Sequence, residues 1–196
     1  MTALQKIPAT PSAAAAPFAI RGERASDALA REALLDACFG EHRHMRTCQR
    51  LRDGRAPAEG LAFSAVRQGR LVGTLRLWHV SAGGARALML GPLAVDSACR
   101  KLGVGTALME HALAAAGARG HRAVILLGDE PYYGRFGFSA KLAAGLALPG
   151  PFERHRLLGL EFEPGALSDA RGMIIPTGMA VTAASERRRA LRACAA

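Results

Sequence analysis

The sequence predicts a mixed α/β (α+β) domain, and three observations carry that prediction. Residues 61–96 hold three β-rich runs, "LAFSAVR", "RLVGTLRLWHV" and "ARALMLGPLAVD", parted by turn signals at Gln68-Gly69 and Ser81-Ala82-Gly83-Gly84, which is the pattern of an antiparallel meander. "GVGTALMEHALAAAGARG" follows, with Val104, Ala107 or Leu108, His111 or Ala112, and Ala115 at helical spacing. "HRAVILLG" then reads as a strand of continuous apolar type, the mark of burial on both faces. A strand, a crossover helix and a second strand form a right-handed unit whose two strands run parallel.

The elements follow in order. Residues 1–17, broken by Pro8, Pro11 and Pro17, lack the continuous apolar centre of a secretory signal and are expected to be a disordered leader. A single domain is expected over residues 18–176. Its first strand lies near Phe18–Arg21. "RASDALAREALLDACFG" has helical spacing through Leu29, Ala33 or Leu34, and Ala37, with Ser26 or Asp27 placed to cap it and Gly40 to end it. "HRHMRTCQRLRDG" is a second short helix closed by Gly54. Within the third run of the meander, Gly91-Pro92 is expected to part the strand from its neighbour about halfway along, because proline cannot donate to a ladder. Gly117 or Gly120 ends the crossover helix. After "PYYGRFGFSA" and a loop holding Pro149 and Pro151, "RLLGLEFE" reads as a strand and "RGMIIPTG" as an edge strand. Residues 177–196, with "ERRRALR", form a basic C-terminal tail.

At 196 residues, half of them hydrophobic, the chain supports one packed core rather than global disorder. The net charge of +10 is nearly all arginine, since lysine occurs only at Lys6, Lys101 and Lys141; it favours anionic partners such as phosphorylated cofactors, acidic substrates or nucleic acid. Cys38, Cys48, Cys99 and Cys194 show neither a C-x-x-C pair nor zinc-ligand spacing, which points to reduced thiols, a cytoplasmic location and no metal. No apolar run approaches the roughly 20 residues that span a bilayer, so no membrane partner is expected.

The stretch "SACRKLGVGTALMEHAL" places two glycines where a helix begins after a strand. Such a start exposes unpaired N–H groups at the positive end of the helix dipole. Gly103 and Gly105 let an anion approach the backbone with no Cβ in the way, and Arg100 and Lys101 add charge. A P-loop pattern is missing, and the third glycine of a dinucleotide fingerprint is replaced by Leu108. "CRKLGVGTAL" instead resembles the [Gln/Arg]-x-x-Gly-x-[Gly/Ala] signature of the GCN5-related N-acetyltransferase (GNAT) superfamily, with Arg100 in the first position. The order of elements is similar too, and "LGPLAVD" and "LLGDEPYYGRFGF" resemble one bacterial subgroup of predicted acetyltransferases. The resemblance runs from about Ile20 to Gly165.

That resemblance implies a mostly antiparallel sheet with a splayed parallel pair at the cofactor site and helices on both faces. It implies acetyl transfer from acetyl-CoA, as substrate, to an amine of a small molecule or peptide by direct attack. Arg100, Lys101, Leu102, Gly103, Val104, Gly105 and Thr106 are then expected to hold the pyrophosphate of coenzyme A, and the backbone of Leu93, Ala94 and Val95 the pantetheine arm. An N–H of the same strand serves as oxyanion donor. The family places a tyrosine four residues before its Gly-Phe pair, here Tyr133 before Gly137-Phe138, as the acid for the departing thiolate; the adjacent Tyr132 is its control. Many relatives carry a glutamate base on the central strand, where "ALMLGPLAV" offers no ionisable group, so His79 stands in as candidate base. Glu41, His42 and His44, in the region that shapes the acceptor pocket, are weaker candidates. Where relatives place an asparagine, this chain has Gly128-Asp129-Glu130-Pro131, in which Asp129 or Glu130 either attracts a cationic acceptor or is simply a solvated turn acid. Family members often dimerise, so a homodimer is compatible. Two other readings remain: a non-catalytic acyl-CoA-binding module, and a nucleic-acid-binding protein acting through "ERRRALR".

Overall fold

The computed structural model describes residues 17–181; the "ERRRALR" segment and nearly all of the expected leader lie outside the described residues. Eight strands form one sheet in the order β1-β2-β3-β4-β5-β7, with β8 joined to β3 and to the two-residue β6. Their ranges are β1 Ala19–Gly22, β2 Ala62–Arg67, β3 Arg70–Ala82, β4 Ala85–Val95, β5 Ala123–Leu127, β6 Leu146–Ala147, β7 Leu157–Glu161 and β8 Gly172–Pro176. The helices are α1 Ala28–Phe39, α2 Val104–Ala118 and the single turn α3 Glu130–Tyr133. Every pairing along the main path is antiparallel except β4 with β5. No helix among the described residues is long and apolar enough to cross a membrane.

The hairpins are tighter than their composition suggests. Gln68 and Gly69 have φ of 50° and 76°, and Gly83 and Gly84 have 55° and 95°, so each pair is a two-residue turn with both residues at positive φ, which matches the twist of the flanking strands. Ser81 and Ala82 therefore belong to β3. The segment 41–51 differs from the sequence reading: it forms two short 3-10 turns, Glu41–Met45 and Thr47–Leu51, instead of an α-helix. Gly40 at φ 77° redirects the chain at the end of α1, and Arg46 is extended between the turns, so no continuous i→i−4 ladder forms.

Each face of the sheet has its own cover. Leu108, Met109 and Ala112 of α2 pack with Phe63, Leu75, Leu88 and Val124. On the other face α1 sets Leu34 and Leu35 against Ala94, and Leu51 with residues 143–170 covers Trp78, Met89 and Ile125. β5 contributes to both clusters, Val124 and Leu126 to one, Ala123 and Ile125 to the other, which is why its sequence is apolar throughout. β8 extends the sheet where β2 ends, pairing Ile174–Pro176 with Val80–Ala82 of β3. Contacts continue past residue 176: Ala56 N–H donates to the Met179 carbonyl and Val181 N–H to that of Gly54.

Asp27, expected as a helix cap, makes no such bond. Its carboxylate accepts two bonds from Arg21 at 2.6 and 2.8 Å, one from the Arg24 N–H at 2.9 Å and one from Ser64 Oγ at 2.9 Å. It ties β1 and β2 to the start of α1. The Arg21 guanidinium beside it holds the carboxyl far below the usual range, with the Arg24 and Ser64 donors aiding and burial opposing. Because the folded-state value is depressed, the stabilisation is complete above about pH 4 and is lost as pH falls toward the folded value. Asp27→Asn is expected to cost about 2–3 kcal/mol at neutral pH and to flatten the acid limb of a denaturation profile below pH 4. An unchanged midpoint in urea would contradict this role.

Candidate functional site

The site begins with an extra residue in β4. β3 and β4 pair as Leu77↔Leu90 and then Leu75↔Leu93, so two β4 residues, Gly91 and Pro92, lie opposite one on β3, a bulge. The bulge restores the alternation: Leu88 and Leu90 before it, and Leu93 and Val95 after it, all face the α2 core. β5 pairs with β4 only at Leu88↔Val124 and Met89↔Ile125. Beyond these residues the two strands part, as Gly91-Pro92 leads one to expect.

Which backbone groups face the gap follows from strand alternation. Asp96 N–H donates to the Val72 carbonyl on β3. Ala94, of the same parity, turns its N–H and C=O to β3 as well, whereas Leu93 and Val95 turn theirs to the open side. The Val95 carbonyl accepts there from Cys38 Sγ at 3.4 Å. Leu93 and Val95 thus offer ladder groups to a ligand. Ala94 does not, because its backbone is engaged with β3 and its side chain is buried beneath α1.

At the mouth of the gap Gly103 adopts φ 77° and precedes the first residue of α2. A Cβ at Gly103 would meet nothing within 4 Å, so the space before the helix is open. No side chain caps α2, and the N–H groups of Val104, Gly105 and Thr106 point outward from its first turn. Val104 is fully buried and contributes only backbone, while Arg100, Lys101 and Leu102 are exposed around the turn. Two residues that the sequence reading left without a role here close over it. Tyr132 brings its hydroxyl to 3.0 Å from where a Cβ of Gly105 would stand. Arg135 donates to Thr106 Oγ1 at 2.9 Å while its guanidinium lies 4.3 Å from the centre of the Tyr132 ring. The i,i+3 spacing of Tyr132 and Arg135 across a short helical turn was the available signal.

On the other side of the gap lies a cavity of about 860 Å³. Its floor is Leu90–Leu93 of β4 and Leu126–Asp129 at and beyond the end of β5, Tyr133 forms a wall, and the 3-10 turns with the 151–153 loop cover it. Thr47 Oγ1 donates to the Pro151 carbonyl at 2.5 Å and Arg50 to that of Pro149 at 2.6 Å, fastening cover to loop. Tyr133 is packed edge-on against Tyr132, ring centres 4.8 Å apart. Gly128 must be glycine for that ring to sit there, since a Cβ would fall 2.2 Å from Tyr133 Cε2. Burial pushes the Tyr133 phenol up to about 12, with the nearby Tyr132 and Asp129 adding to the rise and Arg156 opposing it. It stays protonated across the neutral range.

Several candidates are not brought to this cavity. The His79 ring lies tilted against that of His121, centres 5.4 Å apart, beside the C-terminal end of α2 and before the start of β5, the end of the sheet opposite the gap. From the glycine turn that is the full length of α2, about 20 Å. Glu41, His42 and His44 are not part of its lining, which takes Arg43 and Met45 from that turn. Asp129 lies 3.0 Å from Arg156 Nε, and Glu130 accepts from the Ala140 N–H at 3.1 Å, so neither is a free acid awaiting a cation. Burial pushes the Cys48 thiol up, leaving it protonated. No group of three or more metal-ligating side chains occurs among the described residues.

Residues 28–138, more than half of the chain, match the family described as "Acetyltransferase (GNAT) family". No curated protein sequence matches the chain. Among solved structures the fold is similar to that of YhbS, a GNAT family N-acetyltransferase from Escherichia coli in complex with CoA, with 26% identity, TM-score 0.71, and 85% of this chain and 93% of that one covered. It is also similar to a GNAT family acetyltransferase from Brucella melitensis in complex with acetyl-CoA, with 28% identity, TM-score 0.59, and coverage of 85% and 97%. Arabidopsis thaliana Naa50, in complex with a bisubstrate analogue, shares the fold at 16% identity and TM-score 0.52, over 74% of this chain and 99% of that one.

Proposed function

The chain belongs to the acetyltransferase (GNAT) family, and from that premise we propose that it transfers the acetyl group of acetyl-CoA directly to a primary amine, with the pantetheine arm along Leu93 and Val95, the pyrophosphate on the first turn of α2, and Tyr133 at the departing sulfur. One observation carries the reading. The gap between β4 and β5 exposes unpaired ladder groups, and it runs from the open N-terminus of a glycine-started helix to a cavity walled by a half-buried tyrosine. The two solved relatives named with CoA and acetyl-CoA support the same ligand.

The residues fit that ligand by chemistry. Outward N–H groups of Val104, Gly105 and Thr106 suit a pyrophosphate, with Arg100, Lys101 and Arg135 adding charge. An acetyl group in the gap places its carbonyl within reach of an N–H of β4, which favours negative charge on that oxygen as the amine nitrogen attacks. The C–N bond forms, the C–S bond breaks, and the proton lost by the nitrogen balances the one gained by the thiol. Full proton transfer from a phenol near 12 to a thiolate of ordinary value, about 8.5, would be uphill by about 5 kcal/mol. Tyr133 therefore acts by donating a hydrogen bond to the departing sulfur, and the ammonium formed on the acceptor supplies the proton.

Among the described residues the cavity lining holds no histidine, and its carboxylates, Asp129 and Glu153, both lie near Arg156. The amine is thus deprotonated by solvent before attack. The expected kcat/KM rises with pH toward the acceptor's own pKa, with no downward limb from Tyr133 below about pH 10, since its phenol is held up to about 12. A bell centred near pH 7 for an amine of ordinary pKa would count against this account.

The pyrophosphate assignment is tested by calorimetry. Acetyl-CoA is expected to bind at least about tenfold more tightly than acetyl-pantetheine, which lacks the pyrophosphate and nucleotide. Gly105→Val, whose side chain would enter the turn beneath the Tyr132 hydroxyl, is expected to erase most of that difference. Equal affinities for the two thioesters in the unaltered protein would overturn the assignment. A non-catalytic acyl-CoA-binding module is the second reading, favoured by the lack of any ionisable side chain from Ala87 to Val95 of β4.

A further inference from the structure

We infer that the acceptor amine carries an anionic group, a carboxylate or a phosphate, held by the terminal guanidinium nitrogens of Arg52 inside the cavity and by Arg46 at its rim. This rests on the transferase reading above and adds the substrate class. Four arginines line the cavity, Arg43, Arg46, Arg52 and Arg156, and they are not equivalent. Arg43 is neutralised by hydrogen-bonded ion pairs with Glu32 and Asp36, at 2.5 and 2.6 Å, whereas Arg156 has Asp129 at ion-pair distance, 3.0 Å, although its Nε makes no hydrogen bond among the described residues. Among the described residues, no carboxylate lies within ion-pair distance of Arg46 or Arg52.

Arg52 is the more telling of the two. Its Nε donates to the Cys48 carbonyl at 3.2 Å, and its terminal nitrogens make no hydrogen bond or ion pair among the described residues. Asp53, next in the chain, has its carboxylate turned to Gln49 Nε2 at 2.7 Å. Burial disfavours the charge on Arg52 and pushes its pKa down. The two-pronged donor set of a half-buried guanidinium with no carboxylate at hand among the described residues matches a carboxylate or a phosphate. Arg46 is exposed, its guanidinium 5.2 Å from the centre of the Phe39 ring, so an incoming anion meets Arg46 first and Arg52 deeper. The coenzyme does not account for either residue. Its phosphates belong to the first turn of α2, whereas Arg46 and Arg52 approach the gap from the side of the 3-10 turns.

The test is a panel of paired primary amines, assayed with acetyl-CoA and the full chain by thiol release. One arm pairs amino acids and short peptides bearing a free carboxylate with their amides. The other pairs phosphate-bearing amines with the corresponding alcohols. In at least one arm the anionic member is expected to have a kcat/KM at least tenfold above its neutral partner. In Arg52→Gln that advantage is expected to collapse through a raised acceptor KM, with the thermal unfolding midpoint and the affinity for acetyl-CoA showing that the protein is folded. Carboxylate preference and phosphate preference each support the inference and identify the anion. Neutral or cationic amines used as well as anionic ones overturn it while leaving the transferase reading in place. No transfer to any amine by a protein that binds acetyl-CoA overturns both.

Discussion

Tyr133→Phe is expected to lower kcat about a hundredfold while leaving the KM for acetyl-CoA within about threefold. The phenol is half-buried, held protonated, and walls the cavity at the end of the gap between β4 and β5. Removing one hydrogen bond to a group that gains charge as the C–S bond breaks costs about 1.5–3 kcal/mol, a factor of roughly ten to a few hundred. The ring remains, so its packing on Tyr132 and Phe138 is kept. Tyr132→Phe is the control. Its hydroxyl lies over Gly105 at the glycine turn, so its loss is expected to appear in the KM for acetyl-CoA with kcat little changed. Steady-state kinetics of the two variants side by side separate these roles. Equal effects of both on kcat would remove Tyr133 from the chemistry.

Gly128→Ala is the second large effect. Gly128 is buried, its N–H donates to the Arg156 carbonyl at 2.8 Å, and an added methyl would stand 2.2 Å from Cε2 and 2.7 Å from Cδ2 of Tyr133. The backbone there is tied to the end of β5 and yields less readily than the ring, so the ring moves. A displacement on the order of 1 Å at a reacting group costs about a hundredfold in rate, and the strain destabilises the fold by about 1–3 kcal/mol. Acting through Tyr133, Gly128 is a positioning residue, and the double variant separates that role from general damage. In a Tyr133→Phe background the same substitution is expected to lower kcat by no more than about threefold further, because the hydroxyl it displaces is already gone. A full second hundredfold loss would mean that Gly128 matters for another reason.

What could be read from the sequence, and what could not, divides along a physical line. Gln68-Gly69, Gly83-Gly84, Gly91-Pro92 and Gly103-x-Gly105 act through local backbone preferences, so the hairpins, the parting of β4 from β5 and the helix start were all visible beforehand. Residues whose role depends on distant partners were not. Asp27 stands in a capping position, yet Ser64 and Arg21 claim its carboxylate. His79 lies on a strand leading to the site, but its side chain meets His121 at the far end. Arg52 is one of many arginines in a basic chain. Only folding shows that Arg43 and Arg156 have carboxylates at hand and that Arg52, among the described residues, has none within ion-pair distance.

The account stands on acyl transfer occurring at the gap, and amine-dependent thiol release from acetyl-CoA measures that most directly. Purified protein is mixed with acetyl-CoA and the amine panel, and free thiol and acetylated product are followed together. The expected result is one mole of acetylated amine per mole of thiol for at least one acceptor, strongly reduced in Tyr133→Phe. Tight binding of acetyl-CoA with no product from any amine would contradict it and identify the chain as a non-catalytic acyl-CoA-binding module.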